Sequence, residues 1–342
     1  PNTTPAIDTP NFIQESISTA NNIGGCRVLP TACATINRKG ETISPIGDLV
    51  EAGAIAITDD GDVVEDEVMM SDVLKQCAKN NVPFMQHCQD PKTTIDGVMH
   101  EGEVQRKLGL GPWPRDAEES IIARDIKLNE SIGAKWHAQH LSSGGSVELI
   151  RQAQKKKQPI SGEASPHHLL LTDEACRDLG TMAKMNPPLR EQQDINALKE
   201  GIADGTITIL ATDHAPHPMQ TKECSFADAS FGIVGLDCAL PLYAKALIED
   251  GVINWSQLLA MMTTNPASLI NRPDLGILKE GGIADITIID PSLPWTINPS
   301  DFSSTGRNCP FLGWNVQGKA IATIYRGVLS HHSLNDRVEH CT

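Results

Sequence analysis

The residues from 207 to 217 combine a short apolar run with groups that could do acid–base or metal chemistry. Their sequence, Ile-Thr-Ile-Leu-Ala-Thr-Asp-His-Ala-Pro-His, predicts a buried β-strand that ends at Asp213 and is followed by His214 and His217. Barrels built from β/α units carry their catalytic groups at the carboxyl ends of the strands. We therefore expect Asp213 to lie at the mouth of such a sheet.

Three further apolar runs end in potential metal ligands, at Asp59-Asp60, at His87 and at His140. Zinc and similar ions prefer imidazole nitrogen and carboxylate oxygen, and catalytic zinc sites keep one position open for water. Two imidazoles and two carboxylates from four strand ends predict one shared metal site. Its predicted ligands are Asp60, His87, His140 and Asp213.

Each of these residues also has an ordinary structural explanation. A single histidine in an apolar run is more often a core residue than a ligand. Asp59 and Asp60 precede Gly61 and could form a turn, and Asp213 could cap a helix. We favour the metal site because all four residues occupy matching positions in the topology.

Other polar residues near predicted strand ends have weaker patterns. His167 and His168 could support the metal ligands or bond within their own loop, whereas His137 is interpreted as structural. Asn186 precedes two prolines, which exclude a helix or a central strand there. Its amide could therefore contact a planar polar ligand from a rigid loop, or the segment could be a plain turn.

Strands and helices alternate along the chain in a way that would place these residues together. Strands are predicted at 26–34, 54–58, 82–87, 135–140, 159–164 and 206–212. Helices are predicted at 8–22, 46–52, 67–80, 115–132, 146–157, 192–203, 236–249 and 255–264. This alternation predicts a mostly parallel α/β sheet with helices outside.

Six β/α units are two fewer than a (β/α)8 TIM-type barrel requires. We expect such a barrel lacking its first two strands, with an open doubly wound sheet as the alternative. The start at Pro1, without an initiator Met, is consistent with N-terminal truncation. The partial barrel is expected at residues 1–275, part of a small β-domain at 276–328, and a polar tail at 329–342.

Composition narrows the function classes. The chain of 342 residues has a formal net charge of −15, so we expect neither nucleic acid nor an anionic membrane as a partner. Its nine cysteines form no Cys-x-x-Cys pair, which favours buried thiols in a reducing cytoplasm. No Gly-x-Ser-x-Gly elbow occurs, so a serine hydrolase is disfavoured.

Eight motifs occur in an order typical of one known family. They are Pro-Asn-Thr-Thr-Pro (1–5), Thr-Asp-Asp-Gly (58–61), His-Cys-Gln-Asp (87–90), His-Leu-Ser (140–142), Ser-Pro-His-His (165–168), Lys-Met-Asn-Pro-Pro-Leu-Arg (184–190), Ala-Thr-Asp-His-Ala-Pro-His (211–217) and Phe-Gly-Ile-Val-Gly-Leu (231–236). To about residue 328, the chain resembles the dihydroorotase family of the amidohydrolase superfamily. It resembles the type with Asp in place of a carbamylated Lys at the fourth strand.

The resemblance implies a hydrolase of cyclic amides that acts in pyrimidine (UMP) biosynthesis. The reaction would be the reversible, zinc-dependent cyclisation of N-carbamoyl-L-aspartate to L-dihydroorotate. By motif, the four predicted ligands would bind one or two zinc ions, Asp213 would also shuttle a proton, and residues 218–230 could form a lid. The implied substrate-binding residues are Asn2, Asn186, His217, Phe231 and Gly232.

The sequence departs from this family at one point. The family's first strand ends in His-x-His-x-Arg, two zinc ligands and an arginine for the substrate carboxylate, and no such motif precedes Pro1. We therefore expect this polypeptide alone to be inactive and poorly stable, because an unclosed barrel exposes strand edges.

Two alternatives stay open on the sequence. One is another cyclic amidase, an allantoinase or hydantoinase, although those usually carry Lys at position 60. The other is a non-catalytic scaffold for aspartate transcarbamoylase, which would lose metal ligands that this chain keeps. Besides the small-molecule substrate, a second copy of the chain or aspartate transcarbamoylase could be a partner.

Overall fold

The protein is described here from a computed structural model that covers residues 1–333. Its α-helices are α1 (Pro10–Ile23), α2 (Ile46–Glu51), α3 (Glu67–Lys79), α4 (Glu103–Leu108), α5 (Asp116–Asn129), α6 (Gly144–Lys155), α7 (Pro166–Leu170), α8 (Glu174–Leu179), α9 (Gln192–Ala203), α10 (Ala239–Tyr243), α11 (Trp255–Met262) and α12 (Thr264–Leu269). Its strands are β1 (Phe84–Gln86), β2 (Met99–His100), β3 (Pro112–Trp113), β4 (Trp136–Ala138), β5 (Ile160–Ala164), β6 (Ile209–Leu210), β7 (Ile286–Thr296), β8 (Asn315–Tyr325) and β9 (Val328–His332).

The central sheet is parallel, with its strands in chain order β1-β4-β5-β6. Two parallel bridges, Ala32 with Ile57 and Ile57 with Phe84, extend it on the β1 side. The pairing therefore follows the chain order from residue 32 to residue 210. Barrels pair successive β/α units in this way, whereas a doubly wound sheet reverses direction at a switch point. The topology favours the barrel over the doubly wound alternative.

The predicted barrel helices are present with shifts of one to three residues at most ends. The first two predicted strands are wrong in extent, because only Ala32 and Ile57 pair with a neighbouring strand. Helix 236–249 is interrupted: a 3₁₀ turn precedes α10, and a π-helical stretch follows at Ala244–Glu249. The two-residue parallel pair of β2 and β3 was not predicted.

The C-terminal part forms an antiparallel sheet in the order β7-β8-β9. β7 and β8 lie within the segment 276–328, where part of a small β-domain was expected. β9 contains His331 and His332, which pair with β8 within the segment that was expected to be a tail. His340 lies outside the described residues. The domain limits at 275 and 328 stay predictions.

Two apolar clusters hold these layers together. The larger one fills the space between the parallel sheet and its helices, around the fully buried Phe84 and Trp136. The smaller one joins the segment around Ile233 to residues that precede and begin β8, including Phe311 and Val316. Through this smaller cluster, the C-terminal part of the chain packs against loops at the carboxyl ends of the barrel strands. Across residues 1–333, every helix is too short or too polar to cross a lipid bilayer.

Candidate active site

One cavity of about 310 Å³ lies at the carboxyl ends of the parallel strands. It brings together all nine residues that the sequence assigned to a site. Its lining consists of Asn2, Asp60, Gly61, His87, His140, Asn186, Asp213, Ala215, His217, Phe231 and Gly232. Residues separated by up to 230 positions therefore share one cavity. The placement agrees with their predicted common site, while their individual roles stay predictions.

Three of the four predicted metal ligands have their donor atoms together. Asp60, His87 and His140 each offer one ligand atom, and these atoms lie within 4.8 Å of one another. His140 Nε2 is 3.1 Å from His87 Nδ1 and 3.4 Å from Asp60 Oδ1, and His87 Nδ1 is 3.8 Å from Asp60 Oδ1. Asp213 lines the same cavity but does not belong to this close group.

This donor set fits a small divalent cation. A tetrahedral ion with bonds of about 2.1 Å separates its ligand atoms by about 3.4 Å, which falls within the three observed distances. Two imidazole nitrogens and a carboxylate oxygen are also the donors that zinc prefers. The residues present therefore suit a zinc-like ion, and Asp60, His87 and His140 would hold it.

The ring orientation of His87 is fixed by its second nitrogen. Nε2 of His87 donates to Gln89 Oε1 at 3.0 Å, which leaves Nδ1 as the nitrogen that faces His140 and Asp60. Metal-bound histidines are commonly oriented in this way by a second hydrogen bond. Gln89 also accepts from Asn186 Nδ2 at 2.9 Å, so it connects a predicted ligand to a predicted substrate residue. No role was expected for Gln89 from the sequence, although it lies in the His-Cys-Gln-Asp motif.

Charges are strongly coupled in this cluster. Burial opposes ionisation of Asp60, but the hydrogen bond from His140 and the nearby imidazoles lower its pKa overall. Burial likewise opposes the His140 cation, but Asp60 and Asp213 raise its pKa to about 9. Burial and the charge of His140 lower the pKa of His87 to about 4. The cluster thus pairs the Asp60 carboxylate with a His140 cation. A bound metal cation would supply the positive charge in place of the proton on His140.

Asp213 differs from Asp60 in its surroundings. Burial raises the pKa of Asp213 to about 6, against an opposing effect of His140. A carboxyl group with a pKa near neutrality can both accept and release a proton at physiological pH. Asp213 and His140 also have positive φ angles, 47° and 32°. Such conformations are uncommon for residues other than glycine and concentrate at functional sites.

Asp59 and Asp60 are adjacent but have different surroundings. Asp59 is buried, and its carboxylate accepts from the Ala34 and Thr35 backbone amides and from Thr35 Oγ1. It therefore ties two neighbouring strand ends together. Asp60 faces the cavity, and its backbone amide donates to Thr58 Oγ1 at 2.9 Å. The predicted turn is also present, because Asp62 N donates to Asp59 O at 2.8 Å and Asp60 and Gly61 lie at the centre of that turn.

The loop that carries Asn186 is fixed from both sides. His168 Nε2 donates to the Pro187 carbonyl at 3.0 Å, while His168 Nδ1 contacts Ser165 Oγ at 2.7 Å. His168 thus supports the loop that carries Asn186 and not a metal ligand directly. Oδ1 of Asn186 is buried and has no hydrogen-bond partner among the described residues. This acceptor therefore favours a ligand contact over a plain turn.

One wall of the cavity is formed by two segments, 213–217 and 231–236. They pair through a parallel bridge between His214 and Ile233, and Ala215 N donates to Ile233 O at 2.8 Å. Gly232 has a φ of 112°, and a Cβ there would lie 2.5 Å from the Ala215 Cβ. Only glycine fits this position. The glycine of the Phe-Gly motif is therefore required for steric reasons at this point of the cavity wall.

Two buried lysines anchor the loop that was predicted to be a lid. Lys222, only 2% exposed, donates through Nζ to the carbonyls of Thr181, Lys184 and Ser230 at 2.7–3.1 Å. Lys184 Nζ donates to Ala227 O and lies 4.3 Å from the centre of the Phe231 ring. In this conformation the loop is tied down, and its opening stays a prediction. No pattern in the sequence marks Lys222, because a single lysine in a polar loop is usually solvated.

Comparison with known proteins identifies the family. Residues 1–146 match the family model described as Dihydro-orotase-like, and residues 173–331 match that of the Amidohydrolase family. The chain is 41% identical to a dihydroorotase of Pelobacter propionicus over 96% of its own length and 77% of the relative. It is 42% identical to a dihydroorotase of Endomicrobium trichonymphae, over 96% and 78% of the two chains. The chain belongs to the dihydroorotase family.

Solved structures support the fold. The L-hydantoinase of Arthrobacter aurescens superposes with a TM-score of 0.83 at 24% identity, over 97% of this chain and 76% of that one. A Saccharomyces cerevisiae dihydroorotase in complex with 5-fluoroorotic acid gives a TM-score of 0.72 at 18% identity, over 95% and 89%. At these identities the likeness concerns the fold alone. The predicted family, the amidohydrolase barrel fold and the hydrolase class are confirmed.

Proposed function

We propose that this protein is a dihydroorotase, which catalyses the reversible cyclisation of N-carbamoyl-L-aspartate to L-dihydroorotate with a zinc ion. The observation that carries the proposal is one cavity that joins the Asp60, His87 and His140 donor group with Asp213, Asn186 and His217. These residues lie in a chain about 40% identical to curated dihydroorotases over most of its length.

A bound zinc ion would supply Lewis acidity, which activates water and polarises the ring carbonyl. Asp60, His87 and His140 would hold it, with Asp213 as the fourth predicted ligand. In the hydrolytic direction, Asp213 accepts a proton from the attacking water and delivers it to the ring nitrogen as the carbon–nitrogen bond breaks. Its pKa of about 6 suits both steps. In the synthetic direction the proton moves the opposite way.

Substrate is held by the walls of the cavity. The unpaired Oδ1 of Asn186 would accept from a ring or ureido N–H group. His217 and the backbone at Phe231 and Gly232 provide further polar contacts on the facing wall, and Asn2 contributes an amide beside Gly61. Phe231 also covers this wall with its ring, which packs edge-on against Trp113. The contacts favour a small, planar, polar ring.

A substrate panel tests this function on the complete, zinc-loaded protein. L-Dihydroorotate, dihydrouracil, hydantoin and allantoin are offered separately, and ring opening is followed by the loss of ultraviolet absorbance. We expect the highest kcat/KM for L-dihydroorotate, and cyclisation of N-carbamoyl-L-aspartate at mildly acidic pH. Faster opening of hydantoin or allantoin would assign the protein to another cyclic amidase. Zinc binding without turnover of any of these compounds would contradict an enzymatic function.

A further inference from the structure

Asn308 lies far from every motif in the sequence, in the segment that precedes β8, yet its side chain reaches the wall of the cavity. It is fully buried. Its Oδ1 accepts from the His217 backbone amide at 3.0 Å. Its Nδ2 donates to the carbonyls of Ala215 and Gly232 at 3.0 and 3.1 Å. The amide therefore connects both segments that form this wall.

The backbone of Asn308 adds a fourth contact. Its carbonyl accepts from the Val234 amide at 2.9 Å. The side-chain amide thus acts like an inserted peptide unit between segments 213–217 and 231–236, and the main chain continues the pairing. At Gly306, a Cβ would lie 2.8 Å from the Pro216 Cβ, so the chain beside Asn308 also packs directly on the first segment.

Burial makes this arrangement costly to break. Each of the three side-chain bonds satisfies a backbone group, and the loss of a partner leaves that group unpaired in a poorly solvated place. His214 and Ala215 pair directly with Ile233. Asn308 instead binds the backbone of Ala215, His217 and Gly232, which line the cavity. Its position in the fold suits a geometric role more than a general contribution to stability.

We propose that Asn308 is a positioning residue, which sets the spacing between His217 and Gly232 so that both can contact substrate. The proposal rests on the proposed function, in which these two residues hold the ring. Asn308 itself does not line the cavity and acts only through its neighbours. It links the C-terminal part of the chain to the reaction performed at the barrel mouth.

The test compares Asn308→Ala with a matched control, Asn129→Ala, in the complete zinc-loaded protein. Asn129 is equally buried, and its amide bonds both backbone groups of Ala134, at the end of α5 and away from the cavity. KM and kcat for L-dihydroorotate, thermal stability, zinc content and deuterium exchange of peptides from 213–236 are measured for both variants.

We expect both variants to lose thermal stability, but only Asn308→Ala to raise KM, by roughly tenfold, with a smaller change in kcat and unchanged zinc content. Exchange within 213–236 should become faster in Asn308→Ala alone. Equal KM values, or equal exchange in the two variants, would overturn the proposal. If Asn308→Ala does not fold, Asn308→Ser is measured in its place against the same criteria.

Failure of the proposed function would be distinguishable. If the unaltered protein opens no dihydroorotate, the dihydroorotase proposal fails on that result alone. Deuterium exchange then still decides whether Asn308 orders the two segments: local acceleration supports the positioning role, and its absence overturns it.

Discussion

Two walls of the cavity are built in different ways. The metal-ligand wall, made of the candidate ligands Asp60, His87 and His140, lies at the carboxyl ends of paired segments of the parallel sheet. The substrate wall, made of the proposed substrate residues Asn186, His217 and Gly232, lies on loops. Sheet register places the first wall, because parallel strands bring their carboxyl ends to one edge. Buried polar side chains place the second.

The second wall depends on anchors distant in sequence. Lys222 holds three backbone carbonyls, Asn308 joins two segments, and His168 holds Pro187. Loops without a ladder of hydrogen bonds must satisfy their buried backbone groups in some other way. The sheet therefore positions the metal-ligand wall, whereas long-range polar contacts position the substrate wall.

The largest effect is expected at Asp213, which lines the same cavity. Asp213→Asn keeps the size of the side chain but cannot accept a proton, so kcat should fall by about 10³-fold or more. Some zinc should stay bound, since Asp60, His87 and His140 are intact. Steady-state kinetics in both directions and metal analysis check this. Near-normal turnover in this variant would refute the proton-shuttle role.

Loss of the Lys222 anchor tests the substrate wall. Lys222→Met leaves the carbonyls of Thr181, Lys184 and Ser230 without their cation, and we expect the free energy of unfolding to fall by about 4 kcal/mol. KM should rise while zinc content stays constant. Lys199→Met is the control, because its surface ion pair with Asp250 contributes less than about 1 kcal/mol. If the two variants lose equal stability in urea titrations, Lys222 is not the anchor we describe.

The free energy of unfolding should depend on pH through Asp125, which accepts a hydrogen bond from Gln86, the residue before His87 in the metal-ligand wall. Burial raises the pKa of Asp125 to about 6, although Arg124, Trp136 and Gln86 donate hydrogen bonds to it. The folded state therefore binds more protons than the unfolded state between about pH 4 and 6. The contribution of Asp125 to the free energy of unfolding is greatest below pH 4. Up to about 3 kcal/mol of it is lost as pH rises through 6.

Chemical unfolding at several pH values checks that slope. Asp125→Asn should remove this pH dependence while KM stays unchanged, because Asp125 lies between α5 and the sheet and does not line the cavity. A variant with the same slope as the unaltered protein would show that another group titrates.

The smallest effect is expected at Gln89, which touches both walls. Gln89→Leu removes the acceptor for His87 Nε2, and zinc affinity should fall by about tenfold, as is typical for a residue that orients a ligand. KM should also rise slightly, since Asn186 loses its partner. Competition with a chromogenic chelator measures the affinity. Zinc binding as tight as in the unaltered protein would contradict the orienting role.

The donor group of the metal-ligand wall and the family could both be predicted from local patterns in the chain. Apolar runs that end in Asp60, His87, His140 and Asp213 are local patterns, and strand pairing converts them into a common edge. The order of the motifs also identified the dihydroorotase family, which the relatives confirm. Helix positions followed from periodicity, because an amphipathic face must point to the core.

The contacts that hold the substrate wall, and the length of each strand, became visible only in the folded chain. Lys222 and Asn308 are single polar residues whose partners lie up to 93 positions away, at Ala215 in the case of Asn308. No local pattern marks such a residue, since its role depends on which backbone groups the fold leaves unpaired. The pairing of Ala32 and Ile57 was decided in the same way, because strand length depends on the neighbour as well as on propensity.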